Sequence, residues 1–150
     1  MADRMTPKRK GDLAELHVAS LLLADPQLEV FATASDDGLG SDLAVRSART
    51  GRWYSIQVKA ATLKSNPCVY LNRFRAEKDF LVAAVVLDDA SRPQEVFLVP
   101  GTAWGTDASG CLGRNDGGGA GGPYMEIRTT ASKHAGELAK YAVDRVAPRL

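Results

Sequence analysis

The order of hydrophobic and polar positions predicts that the chain opens with a helix from Lys8 to Ala24. Its apolar stripe comprises Leu13, Leu16, Ser20 and Leu23, widened by Val18, Leu21 and Leu22. So little of the circumference is polar that we expect this helix to pack closely against a sheet. Asp25-Pro26 is expected to end it, because a proline disfavours the helical conformation in the residue before it.

The chain that follows alternates between strand-like runs and turns. Runs rich in β-branched and aromatic residues predict strands at 28–34, 42–46, 53–60, 69–71, 80–87, 95–99 and 124–129. The turn signal Thr50-Gly51-Arg52 makes the second and third strands a β-hairpin. The continuous apolar run from Phe80 to Leu87 is typical of a strand that is covered on both faces.

Three further segments complete the prediction. Residues 73–79 are compatible with one or two helical turns, and the segment from Ser132 to Val146 predicts a closing helix. The segment 110–122 holds seven of the 14 glycines, so we expect a flexible loop there and not a phosphate-binding loop. At 150 residues the chain is expected to form one domain of the α/β class, with a mixed central β-sheet.

Composition narrows the function classes only a little. The net charge is +1, but residues 1–78 carry 12 basic and 9 acidic residues, so this half is the better candidate to face phosphates. Cys68 and Cys111 have no zinc-site spacing, which favours a reducing, cytoplasmic setting. The apolar runs are shorter than the roughly 20 residues of a membrane helix, so no membrane association is expected.

Polar residues on two predicted strands and on the helix form a candidate catalytic site. Side chains alternate along a strand, so Gln57 and Lys59 share one face, and Asp42 on the hairpin partner can project to the same side. Glu15 lies on the helix face that includes Val18, which predicts a core-facing carboxylate in need of a partner. The four polar side chains therefore form one constellation.

This constellation suits a divalent cation beside a phosphodiester. Mg²⁺ takes about six oxygen ligands and keeps several waters, so two or three protein oxygens suffice. Asp42 offers a carboxylate, Gln57 an amide oxygen and Val58 a main-chain carbonyl, while Glu15 is a further ligand. Lys59 would help to deprotonate the attacking water or stabilise charge on the phosphate. We expect Mg²⁺ as the cofactor, with Mn²⁺ as a substitute.

Six basic residues are candidates for contacts with the phosphates on either side of the cleavage point. They are Lys8, Arg9, Lys10, Lys64, Arg73 and Arg75.

The same residues resemble a known family. Lys10-Gly11-Asp12-Leu13-Ala14-Glu15, then Gly40-Ser41-Asp42-Leu43, then Ile56-Gln57-Val58-Lys59 is similar to the motif order of the PD-(D/E)XK nuclease superfamily. The layout is similar to that of Holliday-junction resolvases and of homing endonucleases with a Gln-X-Lys motif. The match covers roughly the first 60 residues.

The resemblance implies a restriction-endonuclease-like α-β-β-β-α-β core, in which helices flank the mixed sheet. It implies an endonuclease that hydrolyses DNA, including branched DNA, by a Mg²⁺-activated water, and that acts as a homodimer. Glu15, Asp42 and Gln57 would be metal ligands and Lys59 the catalytic lysine. Two residues depart from the pattern: Ser41 replaces a proline, and Gln57 replaces the usual acid, which removes one negative charge from the metal site.

Other interpretations of the same residues stay open at this point. Glu15 could pair with Lys59 alone, and Gln57 and Lys59 could form the solvated face of an edge strand. The missing acid at Gln57 also permits a catalytically silent module that keeps the nuclease fold and binds nucleic acid or a protein partner. Asp36 or Asp37 would have to supply the missing charge if a loop compensates for it.

Overall fold

A computed structural model of the chain describes residues 5–33, 41–105, 110–117 and 119–150. The first six strands are β1 (Leu28–Ala32), β2 (Leu43–Ser47), β3 (Trp53–Thr62), β4 (Cys68–Tyr70), β5 (Phe80–Leu87) and β6 (Pro93–Pro100). Five of them form the main sheet, in the order β1-β2-β3-β5-β6. The predicted strand positions are thus confirmed to within a few residues for this sheet.

The main sheet is mixed. β3 and β5 run parallel, whereas the β1–β2, β2–β3 and β5–β6 pairs are antiparallel. This confirms the general α/β class with a mixed central sheet. Since β3 has a neighbour on each side and Gln57 is only 3% exposed, the edge-strand interpretation of Gln57 and Lys59 is wrong.

Helix α1 (Pro7–Leu23) packs on one face of this sheet. Thr6 is its N-cap, and the threonine Oγ1 accepts a hydrogen bond from the Arg9 amide at 3.3 Å. Its buried residues, Ala14, Val18 and Leu22, are spaced by four and contact the sheet in what we call the first core. The predicted stripe is wrong at Leu16 and Leu23, which are 71% and 57% exposed, whereas it is confirmed at Val18 and Leu22, which are buried.

The opposite face of the sheet is covered mainly by strands and not by a long helix. β4 joins β7 (Leu112–Asn115) and β8 (Tyr124–Ile127) in a small antiparallel sheet of order β4-β8-β7. Val69 of β4 and Ile127 of β8 pack there against alternate residues of β5, and together they form the second core. The expectation that helices flank the sheet is met by α1 on one face, whereas on the other face the only helical contribution to the second core among the described α-helices is Leu138 from the closing segment.

The predicted glycine-rich loop contains a strand, since Leu112–Asn115 is β7. A Cβ atom at Gly113 would lie 2.3 Å from Nη2 of Arg128, so the missing side chain makes room for that guanidinium. Leu112 is buried in the second core, which anchors the strand. A local composition rule missed this strand because its stability comes from contacts distant in sequence.

Two predicted helical regions also differ. The crossover from β3 to β5, residues 63–79, holds β4 and one 3-10 turn at Leu71–Arg73, and this fully described stretch has no α-helix. The closing segment is divided into short pieces, among them α2 (Ala135–Leu138) and α3 (Val143–Val146). It breaks at Ala142, whose extended backbone bridges to Phe97 of β6. None of the helices in the described ranges is long and apolar enough to cross a membrane.

Candidate functional site

Asp42 and the middle of β3 form the centre of the site. Asp42 directly precedes β2, and its main-chain amide donates to the Ile56 carbonyl at 2.8 Å. One carboxylate oxygen of Asp42, Oδ2, accepts hydrogen bonds from Gln57 Nε2 and from the Val58 amide, both at 2.7 Å. The hairpin register, in which Leu43 lies opposite Ile56, brings these three residues together. The sequence prediction that Asp42 lies beside Gln57 is confirmed.

Gln57 carries an unusual polar atom. Its side chain is nearly fully buried, and Oε1 has no hydrogen-bond partner among the described residues. A buried carbonyl oxygen without a partner costs roughly 1–3 kcal/mol. Without a cation, only the amide nitrogen can face the Asp42 carboxylate, because two oxygens would repel each other.

The same pair fits a cation after one rotation. Turning the Gln57 amide by 180° would put Oε1 where Nε2 now lies, 2.7 Å from Asp42 Oδ2. Adjacent oxygens on an octahedral Mg²⁺ lie about 3 Å apart, given ligand distances of roughly 2.1 Å. The orphaned oxygen and the carboxylate therefore match two neighbouring ligands of one ion.

Val58 contacts Asp42 through its amide N–H. An N–H group donates a hydrogen bond and is not a metal ligand, so this contact positions the carboxylate instead of coordinating an ion. The Val58 side chain points the other way, into the first core. The role predicted for its carbonyl oxygen stays a prediction.

Lys59 and Glu15 line a cleft of about 420 Å³ between α1 and the second half of β3. We call it the α1–β3 cleft; its walls also include Lys10, Thr62 and Ser65. Lys59 shares a strand face with Gln57, as predicted, because their partners on β5 are Ala84 and Val82 of the second core. Glu15 and Lys59 therefore border one cleft, although the Gln57–Lys59 face of β3 is directed to the second core and α1 packs on the opposite face.

Glu15 lies at the rim of this cleft and is half-buried, not core-facing as predicted. Partial burial raises the pKa of its carboxyl group, and the negative charges of Asp42 and Asp12 raise it further. Lys8 and Lys59 oppose this effect. Between the described residues Glu15 and Lys59 there is no ion pair, so the simple pairing interpretation is wrong. The acid is electrostatically coupled to Asp42 across the site.

Arg75 is the best-placed of the candidate phosphate contacts. Its Nη2 donates to Ser41 Oγ at 3.3 Å, directly beside Asp42, and its guanidinium lies 5.0 Å from the Phe80 ring centroid. Its Nε is buried and has no partner among the described residues. Gly101 packs against the Arg75 main chain so closely that a Cβ there would lie 2.0 Å from the Arg75 carbonyl oxygen.

The other predicted phosphate contacts are more dispersed. Lys10 lines the α1–β3 cleft, whereas Lys8 is exposed and pairs with Asp12 at 2.7 Å. Arg9, Lys64 and Arg73 are exposed. These residues offer charge to a long anion but do not define one binding point.

Sequence reasoning missed two neighbours of the site. The motif comparison treats Ser41 only as the replacement for a proline, yet the Ser41 hydroxyl accepts a hydrogen bond from Arg75. Cys68 of β4 interacts electrostatically with Lys59, although burial dominates and raises the pKa of the thiol. No sequence signal connects Cys68 to Lys59, because their proximity depends on how the β3–β5 crossover folds.

The carboxylate count at the site is low. Within the described ranges no three His, Cys, Asp or Glu side chains come together as a metal-binding group. The predicted set has two acids, Glu15 and Asp42, with Gln57 in the third place. Asp36 and Asp37 lie outside the described residues. Comparison of the chain with protein-family models and with curated proteins finds no match.

Proposed function

We propose that this protein is a metal-dependent nuclease that hydrolyses phosphodiester bonds in DNA. The observation that carries the proposal is the Asp42–Gln57 pair, with its buried, unpartnered amide oxygen beside a cleft that contains Lys59 and Glu15. An amide oxygen in such a place is best explained by a cationic ligand. Its neighbours are the groups that phosphodiester hydrolysis requires.

Asp42 and Gln57 would hold Mg²⁺, or Mn²⁺ in its place, with Glu15 as a further ligand. When bound, the ion would supply Lewis-acid stabilisation of the negative charge that develops on the phosphate. The Val58 amide fixes the Asp42 carboxylate in position. Positioning of this kind matters because a metal ligand that must reorient binds its ion less well.

The two cations next to the pair act on the substrate. Lys59 carries an ammonium group on the same strand face as Gln57, where it would stabilise the attacked phosphate. Arg75 offers a guanidinium beside Ser41 whose Nε has no partner among the described residues, and a partly buried cation with no carboxylate partner within those ranges favours an anionic ligand. Lys10 would extend this phosphate contact along the α1–β3 cleft.

The restriction-endonuclease-like core, the homodimer and the branched DNA substrate are parts of the same proposal. A helix with Glu15, a strand preceded by Asp42 and a strand with Gln57-Val58-Lys59 support a restriction-endonuclease-like core, in which β4 and a 3-10 turn would take the place of the second helix of the α-β-β-β-α-β order. A homodimer with DNA, branched DNA included, as substrate follows from the resemblance to PD-(D/E)XK nucleases.

Plasmid cleavage tests the proposal. The purified chain should nick or cut supercoiled DNA with Mg²⁺ or Mn²⁺ and should stop in EDTA. Asp42→Ala should reduce the rate by at least about a hundredfold, because it removes the central ligand. Asp144→Asn, an exposed acid on α3, is the matched control and should cleave normally. Undiminished cleavage by Asp42→Ala, or cleavage in EDTA, would exclude the proposed site.

A second candidate is a catalytically silent nuclease fold that binds nucleic acid or a protein. One observation favours it: Gln57 Nε2 already satisfies Asp42 Oδ2 directly, without any ion. Titration calorimetry separates the two candidates. The nuclease should bind Mn²⁺ with a heat that is lost in Asp42→Ala, whereas the silent module should bind DNA equally well with and without Asp42 and should release no metal-binding heat.

A further inference from the structure

A second cleft lies on the α1 face of the sheet, at the opposite end of β3. Its volume is about 450 Å³, which is within the size range of small-molecule sites. It shares no lining residue with the α1–β3 cleft, since Tyr54 near the start of β3 borders it, whereas the α1–β3 cleft begins at Val58. We call it the basic cleft.

The charged side chains that line the basic cleft all have one sign. Arg52, Lys78, Lys140 and Arg149 contribute to it, and none of its lining residues is acidic. Two of these cations have acidic partners outside the cleft, Arg52 with Asp79 and Lys140 with Glu137. Across the described residues, Lys78 and Arg149 form no ion pair. Two positive charges are thus available to an anion.

The floor of the basic cleft is apolar. Leu81, Val146 and Leu150 are buried beneath it, and Tyr54 and Tyr141 add two aromatic rings. Cations already lie near both rings, Arg52 at 5.6 Å from the Tyr54 centroid and Lys140 at 5.2 Å from that of Tyr141. A planar group on this floor would contact apolar atoms below and reach positive charge at the rim.

We propose that the basic cleft binds a nucleotide, with the base on the apolar floor and the phosphate at Lys78 and Arg149. A simple inorganic anion would leave the apolar floor in contact with water, and an uncharged ring would leave the rim cations unused. A nucleotide combines both features in one molecule. This inference does not depend on the proposed nuclease activity, because the two clefts are lined by different residues.

Calorimetry with the full chain tests the inference, with AMP as the probe. AMP should bind, while adenosine and inorganic phosphate should each bind at least about tenfold more weakly, because each lacks half of the complementary features. The double variant Lys78→Ala/Arg149→Ala should weaken AMP binding by at least about tenfold through the loss of two charged contacts. The control Lys133→Ala, an exposed lysine outside the cleft, should bind like the native chain.

The source of the nucleotide is resolved by a second titration with an unstructured DNA oligonucleotide. Binding of AMP supports a free nucleotide, and binding of the oligonucleotide alone supports a nucleotide unit within a strand, provided that the double variant loses it. Failure of both probes to bind at millimolar concentration overturns the inference, as does equal loss in the Lys133 control.

Both variants change exposed side chains, and their thermal unfolding midpoints should match that of the native chain. Asp42→Ala should bind AMP normally, which separates this result from the nuclease test.

Discussion

The α1–β3 cleft and the basic cleft lie at opposite ends of β3 and differ in how their charges are arranged. In the first, Glu15 and Lys59 bring both signs close to the Asp42–Gln57 pair. In the second, all the charged lining residues are basic. A site with both signs can hold a cation and a phosphate together, whereas a site of one sign suits an anion alone.

Burial separates the two clefts as well. Gln57 is 3% exposed and its Oε1 has no partner among the described residues, so the first site carries a cost that a ligand would relieve. The rim cations of the basic cleft are exposed and already solvated. The comparison teaches that a buried unpaired atom is a stronger indication of a specific ligand than a larger number of exposed charges.

Replacing Lys59 should produce the largest effect. Lys59→Met keeps the length of the side chain but removes its charge, and cleavage of plasmid DNA should fall by about 10²–10³-fold, as expected for loss of one group that stabilises transition-state charge. Mn²⁺ binding measured by calorimetry should persist, and AMP binding should not change. A Lys59→Met protein that cleaves at the native rate would remove the functional difference between the clefts.

Gln57→Glu tests, through the free energy of unfolding, whether the Asp42–Gln57 site binds a cation. A second buried carboxylate beside Asp42 should destabilise the metal-free protein by about 1–3 kcal/mol, because two like charges share a desolvated site. Mn²⁺ should restore the loss, since the added charge strengthens cation binding. Thermal unfolding with EDTA and with Mn²⁺ measures both effects, and Gln27→Glu, at an exposed position before β1, is the matched control. Equal melting shifts in the two variants would contradict a metal site at Gln57.

The double variant Lys78→Ala/Arg149→Ala should leave plasmid cleavage within about twofold of the native rate, because surface charges that distant from the reacting bond contribute little at physiological salt. Initial rates of nicking at 0.15 M salt provide the measurement. A loss comparable to that of Lys59→Met would mean that the two clefts serve one substrate.

The pH dependence of stability should show the smallest effect. The folded pKa of Glu15 lies above its ordinary value of 4.5, so the folded state holds this proton more tightly than the unfolded state does. Its stabilising contribution is therefore complete below that ordinary value and is lost as the pH rises through the raised pKa. Urea denaturation in EDTA should show this decline in the native chain and not in Glu15→Gln. An identical pH profile for both proteins would show that neither burial nor the charge of Asp42 raises the pKa of Glu15.

The sequence by itself determined the strands of the main sheet and the hairpin that joins Asp42 to Gln57. These features depend on local patterns: alternation along β2, an apolar run in β5 and a turn signal at Gly51. The residues of the Asp42–Gln57–Val58 contact are close in sequence and separated by one turn. Their approach therefore follows from strand pairing alone.

Tertiary packing decided which face of α1 is buried and where β7 forms. The exposed positions of Leu16 and Leu23 could not be predicted, because the helix was apolar on several sides and only contact with the sheet selected Ala14, Val18 and Leu22. β7 within the glycine-rich segment depends on the space that Gly113 leaves for Arg128.

The two clefts also differ in how far the sequence predicts them. The α1–β3 cleft combines residues that a motif could suggest, whereas the basic cleft joins Tyr54, Lys78 and Arg149 from three distant parts of the chain. No local pattern connects those three residues, since their proximity arises only when the 3-10 turn Ala147–Arg149 and the β3–β5 crossover pack around one end of the sheet. The sequence determined which chemical groups are present near Asp42, and the tertiary structure decided which other groups meet.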